Sequence, residues 1–270
     1  MRKGVLPMKK IGKNTENPPI IQISRLRKVY RLEDESVVAL DSISTDIKKG
    51  EICCIFGTSG SGKSTLLNQL AGMEKPTSGG IFIGKTDITR LNEGEMVSFR
   101  RKHIGFIFQA YNLLPGLTAL ENVALPMMFQ GYSKKQRNKR ALDLLKQVGL
   151  EKRVHHYPAQ MSGGQQQRVG IARAFVTKPE VVFADEPTGN LDTKTTAQIM
   201  RMITEMARKN QQTIVLVTHD PHMASYADRI ITLIDGEIVK DEQNTPVQAD
   251  LDHSRSRGEK QDFGKAAQEK

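Results

Sequence analysis

The sequence predicts an α/β protein: a parallel β-sheet flanked by helices, an antiparallel β subdomain ahead of it, and a helical insertion within it. Three observations carry this. From about residue 51 to 241, short apolar runs alternate with stretches of helical periodicity, the pattern of strands joined by helical crossovers. Residues 20–50 instead place apolar side chains (Ile21, Ile23, Val29, Val38, Leu40, Ile43, Ile47) in the alternation of antiparallel strands. Residues of about 110–160 contain no strand-like run and read as mainly helical.

The elements follow in order. Glu51-Ile52-Cys53-Cys54-Ile55-Phe56 is an apolar run stopped by a glycine, as a buried parallel strand requires. Lys63 to Ala71 carries Leu66, Leu67 and Leu70 at helical spacing and closes at Gly72. Ile104 to Phe108 reads as a strand. Ser133 to Val148 is a helix, with Ser133 and Gln136 spaced as a capping box and Gly149 at its end. Val169 to Val176 is helical and stops before Pro179. Val181-Val182-Phe183-Ala184 is a strand. Ile199, Met202, Ile203 and Met206 mark one buried face of the next helix, the methionines acting as core filler. Ile214 to Val217 is another buried strand. Asp220 and Pro221 suit the N-cap and first position of a short helix, and Ile230 to Glu242 forms a hairpin turning at Asp235-Gly236.

Composition sets outer limits. The chain has 270 residues, long enough for one large domain, and no apolar run approaches the ~18–20 residues of a membrane span. Met1-Arg2-Lys3 is basic but leads into no apolar stretch, so a signal peptide is not expected and a cytoplasmic location is. Cys53 and Cys54 are the only cysteines; as neighbours in an apolar run they are read as reduced packing residues. Residues 1–19 read as a disordered basic lead, 20–241 as the folded domain and 242–270 as a polar tail. Net charge is +10, which permits nucleic acid or an anionic membrane surface as partner. Aromatic content of 5% without tryptophan offers no stacking platform for single strands, so no nucleic acid is expected.

The chemistry concentrates at a few places. Gly57-Thr58-Ser59-Gly60-Ser61-Gly62-Lys63-Ser64-Thr65 fits the phosphate-loop pattern, and it follows a strand and opens a helix. Its glycines let backbone N–H groups turn toward phosphates, the helix N-terminus adds partial positive charge, Lys63 adds a full one, and Ser64 offers a hydroxyl to Mg²⁺. The apolar strand from Val181 ends in Asp185-Glu186, two ionised groups at the strand end where ligands bind in such sheets. Asp185 is expected to hold the Mg²⁺ shell and Glu186 to polarise an attacking water. Ser162-Gly163-Gly164-Gln165 is a second glycine-rich turn. It fits a helix cap by its Ser/Gln spacing, and equally a second phosphate-approaching helix start.

Taken together these residues resemble the ABC-type ATPases. The phosphate loop, Gln109, Met161-Ser162-Gly163-Gly164-Gln165, Ala184-Asp185-Glu186-Pro187, Asn190-Leu191-Asp192 and Thr218-His219-Asp220 stand in that family's order. Met161 replaces the leucine that usually opens the signature, a swap of similar size and polarity. The resemblance covers about 20–241 and implies a P-loop NTPase fold with a RecA-like parallel sheet core. It implies that Tyr30 stacks on adenine, that Gln109 senses Mg²⁺ and the water, and that His219 contacts the γ-phosphate. It implies too that Asp192 lines a dimer interface, and that Ser162 to Gln165 completes the ATP site of a second copy. The runs Gly105 to Pro115, Leu117 to Val123 and Asp185 to Asp192 are similar to the MacB/LolD branch, which serves macrolide and antimicrobial-peptide export and lipoprotein release. The resemblance thus implies a homodimeric ATPase acting with a separate integral membrane permease at the inner face of the membrane. Alternatives are the ATPase of a signalling or cell-wall remodelling complex, or a soluble ABC ATPase acting on nucleic acid or ribosomes. One set of motifs and no sustained heptads argue against the latter.

Overall fold

The computed structural model describes residues 19–31 and 35–247. The expectations for residues 1–18 and 248–270 lie outside these. Two sheets organise the described residues. The antiparallel sheet has the order β2-β1-β4-β5, from β1 (Pro19–Arg31), β2 (Ser36–Lys48), β4 (Ser78–Ile83) and β5 (Thr86–Asp87). The larger sheet has the order β10-β9-β3-β8-β7-β6. Its strands β3 (Ile52–Phe56), β6 (Ile104–Ile107), β7 (Val181–Asp185), β8 (Thr213–Thr218) and β9 (Arg229–Ile234) are parallel. Strand β10 (Glu237–Gln243) closes its edge as the antiparallel arm of a hairpin with β9.

Alternation along the parallel strands explains how one sheet supports two layers. Ile52, Cys54, Val182, Ala184, Ile214 and Leu216 face a core shared with the helices α3 (Ala119–Phe129), α4 (Lys134–Gln147), α5 (Gly163–Phe175) and α6 (Thr193–Asn210). Cys53, Ile55, Val181, Phe183, Val215 and Val217 face the other way, against α1 (Lys63–Leu70), α2 (Glu93–His103) and the antiparallel sheet. Cys53 and Cys54 therefore point to opposite faces and are both free thiols. Burial raises the pKa of both, that of Cys54 to about 12.

The helix starts follow the capping chemistry of the sequence. Ser133 caps α4 through a reciprocal bond pair with Gln136, and Thr118 and Glu121 do the same for α3. Asp220 caps α7 (Pro221–Ala224), accepting from the His222 N–H at 2.8 Å. Three details differ from expectation. Helix α5 begins six residues before Val169, at Gly163. On α6 the buried methionines are Met200 and Met206, whereas Met202 is only partly covered. The face of α6 is centred on Ile199, Ile203 and Ala207, so position 200 turns inward and 202 toward its edge. At the far end the hairpin runs to Gln243, and Asn244 donates from its backbone N–H to the Asp228 carbonyl at 2.7 Å.

The candidate nucleotide site and its second half

The loop after β3 wraps the start of α1. Gly62 has φ +95°, and a Cβ there would sit 2.5 Å from the Ala39 carbonyl oxygen, so only glycine fits. The β9–β10 turn braces the loop from behind: Gly236 donates to the Ser61 carbonyl at 3.1 Å, and Asp41 donates to the Gly236 carbonyl at 2.9 Å. Asp235 and Gly236 both have positive φ, as a tight hairpin turn needs.

A cavity of about 620 Å³ opens over this loop. Ser59, Gly60, Gly62, Lys63, Ser64 and Thr65 of the loop and helix start line it, together with Glu186, His219 and, from β2, Val37, Val38 and Ala39. The β2 residues and the Asp235-Gly236 turn were not singled out from the sequence as site residues; the Asp-Gly pair was read there only as a hairpin turn. Of the residues expected around it, Gly57, Thr58, Ser61, Tyr30, Gln109 and Asp185 do not line this cavity. Tyr30 pairs with Val37 across the β1–β2 ladder, and its hydroxyl donates to Glu74 Oε2 at 2.7 Å.

The charges are arranged for an anion. Lys63 is only 6% exposed, and its ammonium donates to the Thr58 carbonyl at 2.6 Å. Ser61 Oγ is buried with no partner among the described residues. A buried ammonium held by a neutral carbonyl, beside an unsatisfied hydroxyl and a helix N-terminus, fits a bound phosphate. Burial raises the Asp185 carboxyl pKa; Glu186 raises it further and Lys63 opposes both. Such a carboxylate suits a divalent cation, which offsets the cost of its charge.

Glu186 sits at φ +38°, its N–H donating to the Val217 carbonyl at 3.0 Å. His219 Nδ1 lies 2.6 Å from Glu186 Oε1. Gln109 approaches the same place: a Cβ on Gly189 would lie 2.8 Å from Gln109 Nε2 and 3.4 Å from Glu186 Oε2. The loop beyond Gln109 is held by Arg173, which donates to the carbonyls of Tyr111 and Asn112. Fully buried Asn122 anchors the same loop further on, bonding both backbone groups of Leu114.

The second glycine-rich turn lies elsewhere. Ser162 caps α5, and its side chain and that of Gln165 each accept a backbone N–H of the other residue. A Cβ on Gly163 would meet the Tyr111 hydroxyl at 2.8 Å. Ser162 to Gln165 line a separate cavity of about 570 Å³, together with Asn190, Leu191 and Asp192. Asp192 also caps α6, accepting from the Thr195 hydroxyl at 2.7 Å and from the Thr195 N–H at 3.0 Å, and the hydroxyl first, then the N–H, lower its pKa. Within one chain the two halves of the expected ATP site thus line different cavities.

Comparison with known proteins gives this arrangement a lineage. Residues 40–189 match the family described as ABC transporter. The chain belongs to the ABC transporter family. This ABC cassette is 45% identical to the uncharacterized ABC transporter ATP-binding protein MJ0796 of Methanocaldococcus jannaschii, over 83% of its own length and 97% of the relative's. It is 46% identical to the macrolide export ATP-binding/permease protein MacB of Escherichia coli K12, but spans only 34% of that longer chain. Among solved structures, the dimeric post-hydrolysis state of MJ0796 bound to ADP and Pi superposes with a TM-score of 0.78 at 43% identity, covering 83% of this chain and 99% of that one. The ABC cassette described here is accordingly an ATP-binding, ATP-hydrolysing subunit of transporter type, with the fold read from its sequence. No helix among the described residues is long and apolar enough to cross a membrane.

Proposed function

We propose that the chain works as a head-to-tail homodimer. The loop Gly57 to Thr65 of one copy faces Ser162 to Gln165 and Asp192 of the other across ATP, driving a separate membrane permease. The observation that carries this reading is the division of the site between two cavities in one chain. The MJ0796 cassette, solved as a dimer with ADP and Pi, supports it.

In this reading the loop N–H groups and Lys63 bind the phosphates, while Tyr30 carries the adenine, after its hydroxyl exchanges Glu74 for solvent or base. Ser64, Asp185 and Gln109 would hold Mg²⁺, which when bound neutralises phosphate charge and orients the terminal group. Glu186 accepts hydrogen bonding from the attacking water. His219, paired with Glu186, fixes the carboxylate and reaches toward the phosphate end of the cavity. Permease contact would fall on the helical insertion, where Leu114, Met128, Phe129 and Tyr132 are exposed and follow closely on the Gln109 loop. Such a partner would hold the cassette at the inner face of the membrane. The MacB relative, a macrolide export protein, supports export of a lipophilic cargo such as a macrolide. Export or extraction of an antimicrobial peptide or a lipoprotein rests on the resemblance of the motif runs alone.

Phosphate release by the purified chain tests the reading. Lys63→Ala should lose about 100-fold or more in kcat/KM, the scale of removing one preorganised charge from a phosphate site. Glu186→Gln should bind ATP, stop turning over and elute at twice the monomer mass. Turnover at the wild-type rate in Glu186→Gln would remove Glu186 from the role of base.

A further inference from the structure

The segment from Glu186 to Asp192 physically joins the two cavities. Its first residue lines one, and Asn190 to Asp192 line the other. Between them, two buried side chains, Gln167 and Met223, grip it. Gln167, on α5 two residues after the signature's Gln165, has no exposed surface, and its Nε2 donates to the Pro187 carbonyl. Its Oε1 has no partner among the described residues. Thr188 is 4% exposed, and its hydroxyl donates to Met223 Sδ, itself 3% exposed. Met223 lies on α7, directly after His219 and the Asp220 cap.

We infer that Gln167 and Met223 are positioning residues for the hydrolytic reaction. They tie the turn that carries Glu186 to the signature helix on one side and to the His219 segment on the other. The inference rests on the proposed roles of Glu186 and His219.

The physical reason is the geometry of the turn. Glu186 occupies a left-handed backbone conformation, which a non-glycine residue holds only where its surroundings impose it. Two local bonds shape the turn: Gly189 N–H to the Glu186 carbonyl at 3.1 Å, and Leu191 N–H to the Thr188 carbonyl at 3.0 Å. Neither fixes its direction relative to the sheet or to α5. The Glu186 N–H bond to the Val217 carbonyl ties only the start of the turn to β8. The Gln167 amide and the Met223 sulfur direct Pro187 and Thr188 from two further elements distant in sequence. Any shift of the signature helix against the sheet therefore moves Pro187, and with it the carboxylate next door.

Gln167→Met separates positioning from stability. The change removes the unpartnered Oε1 together with the donor and leaves the Pro187 carbonyl without one, so the number of buried orphans stays the same and the net cost is a single hydrogen bond. A purely structural glutamine would change the melting temperature and leave the kinetics alone. A positioning glutamine lowers kcat about tenfold or more, leaves KM for ATP within about twofold, and keeps the melting temperature within about 3 °C. Thr188→Val, which removes only the bond to Met223, carries the same expectation and stands in if Gln167→Met fails to fold. The double variant should lose less than the product of the two single losses, because both act on one turn. Wild-type kcat in both single variants overturns the inference, as does a kcat loss matched by an equal loss of melting temperature. Glu186→Gln, run alongside with Mg-ATP, keeps the tests distinct. If it retains turnover, the assignment of the base fails whatever Gln167 does.

Discussion

Asp185 holds its proton more tightly than an ordinary aspartate because burial, then Glu186, disfavours its charge. The sign of the consequence is fixed by linkage. A carboxyl whose folded pKa is raised favours the fold while protonated and weakens it as pH climbs through the interval above the ordinary 3.8. Asp185→Asn should flatten that decline. Thermal unfolding of the nucleotide-free protein between about pH 4 and 7 should show a variant at least as stable as wild type at the upper end, while phosphate release is lost. A steeper decline in the variant would place the destabilising charge elsewhere. Several residues of this site were legible in the sequence because their spacing is dense: the loop from Gly57, the acidic pair ending β7, and His219 after β8. Gln167, Thr188 and Met223 were not, since each is an ordinary side chain whose partner lies 20 to 35 positions away.

At the level of elements, Ser162 serves two purposes that can be measured apart. As the N-cap of α5 it accepts the Gln165 N–H, and Ser162→Ala should cost about 1 kcal/mol in urea unfolding. If Ser162 also meets ATP across a dimer, the variant loses ATPase activity far beyond what that cost explains at 25 °C, where the fold remains intact. Equal small effects on both would reduce Ser162 to a cap. Strands with continuous apolar runs, such as β7 and β8, announced themselves, as did α4 through its capping box. The elements between α1 and β6, among them β4, β5 and α2, did not. Strand β4 starts Ser78-Gly79-Gly80, which reads as a turn until β1 pairs with it. Helix α2 buries only Met96 and Phe99 and is otherwise charged, so it has no apolar stripe; its one signal was the Asn92 and Glu95 capping box.

Across the whole molecule, Arg229 fastens the antiparallel sheet to the parallel one. From β9 it forks onto Asp241 at 2.6 Å through both nitrogens, and reaches the Asp46 carbonyl at 2.7 Å and Thr45 Oγ1 at 3.1 Å on β2. Asp241 holds the Arg229 charge firmly and raises its pKa. Arg229→Leu strands buried Glu51 and leaves the more exposed Asp241 without its partner. It should cost about 2–3 kcal/mol in urea unfolding, below the range for a fully enclosed pair because Asp241 keeps 35% of its side-chain surface in water. A loss under about 0.5 kcal/mol would mean that the sheets are held by apolar contact alone.

The opposed thiols of β3 give the protein two internal clocks. Cys53 looks into the layer beneath the phosphate loop, and Cys54 into the layer of the signature helix. Each reacts with a disulfide reagent only when its own layer opens, because burial suppresses the thiolate in both. The two labelling rates, followed by mass at each cysteine, time the loosening of the layers separately. With ATP present they would reveal which side of the central sheet stiffens first.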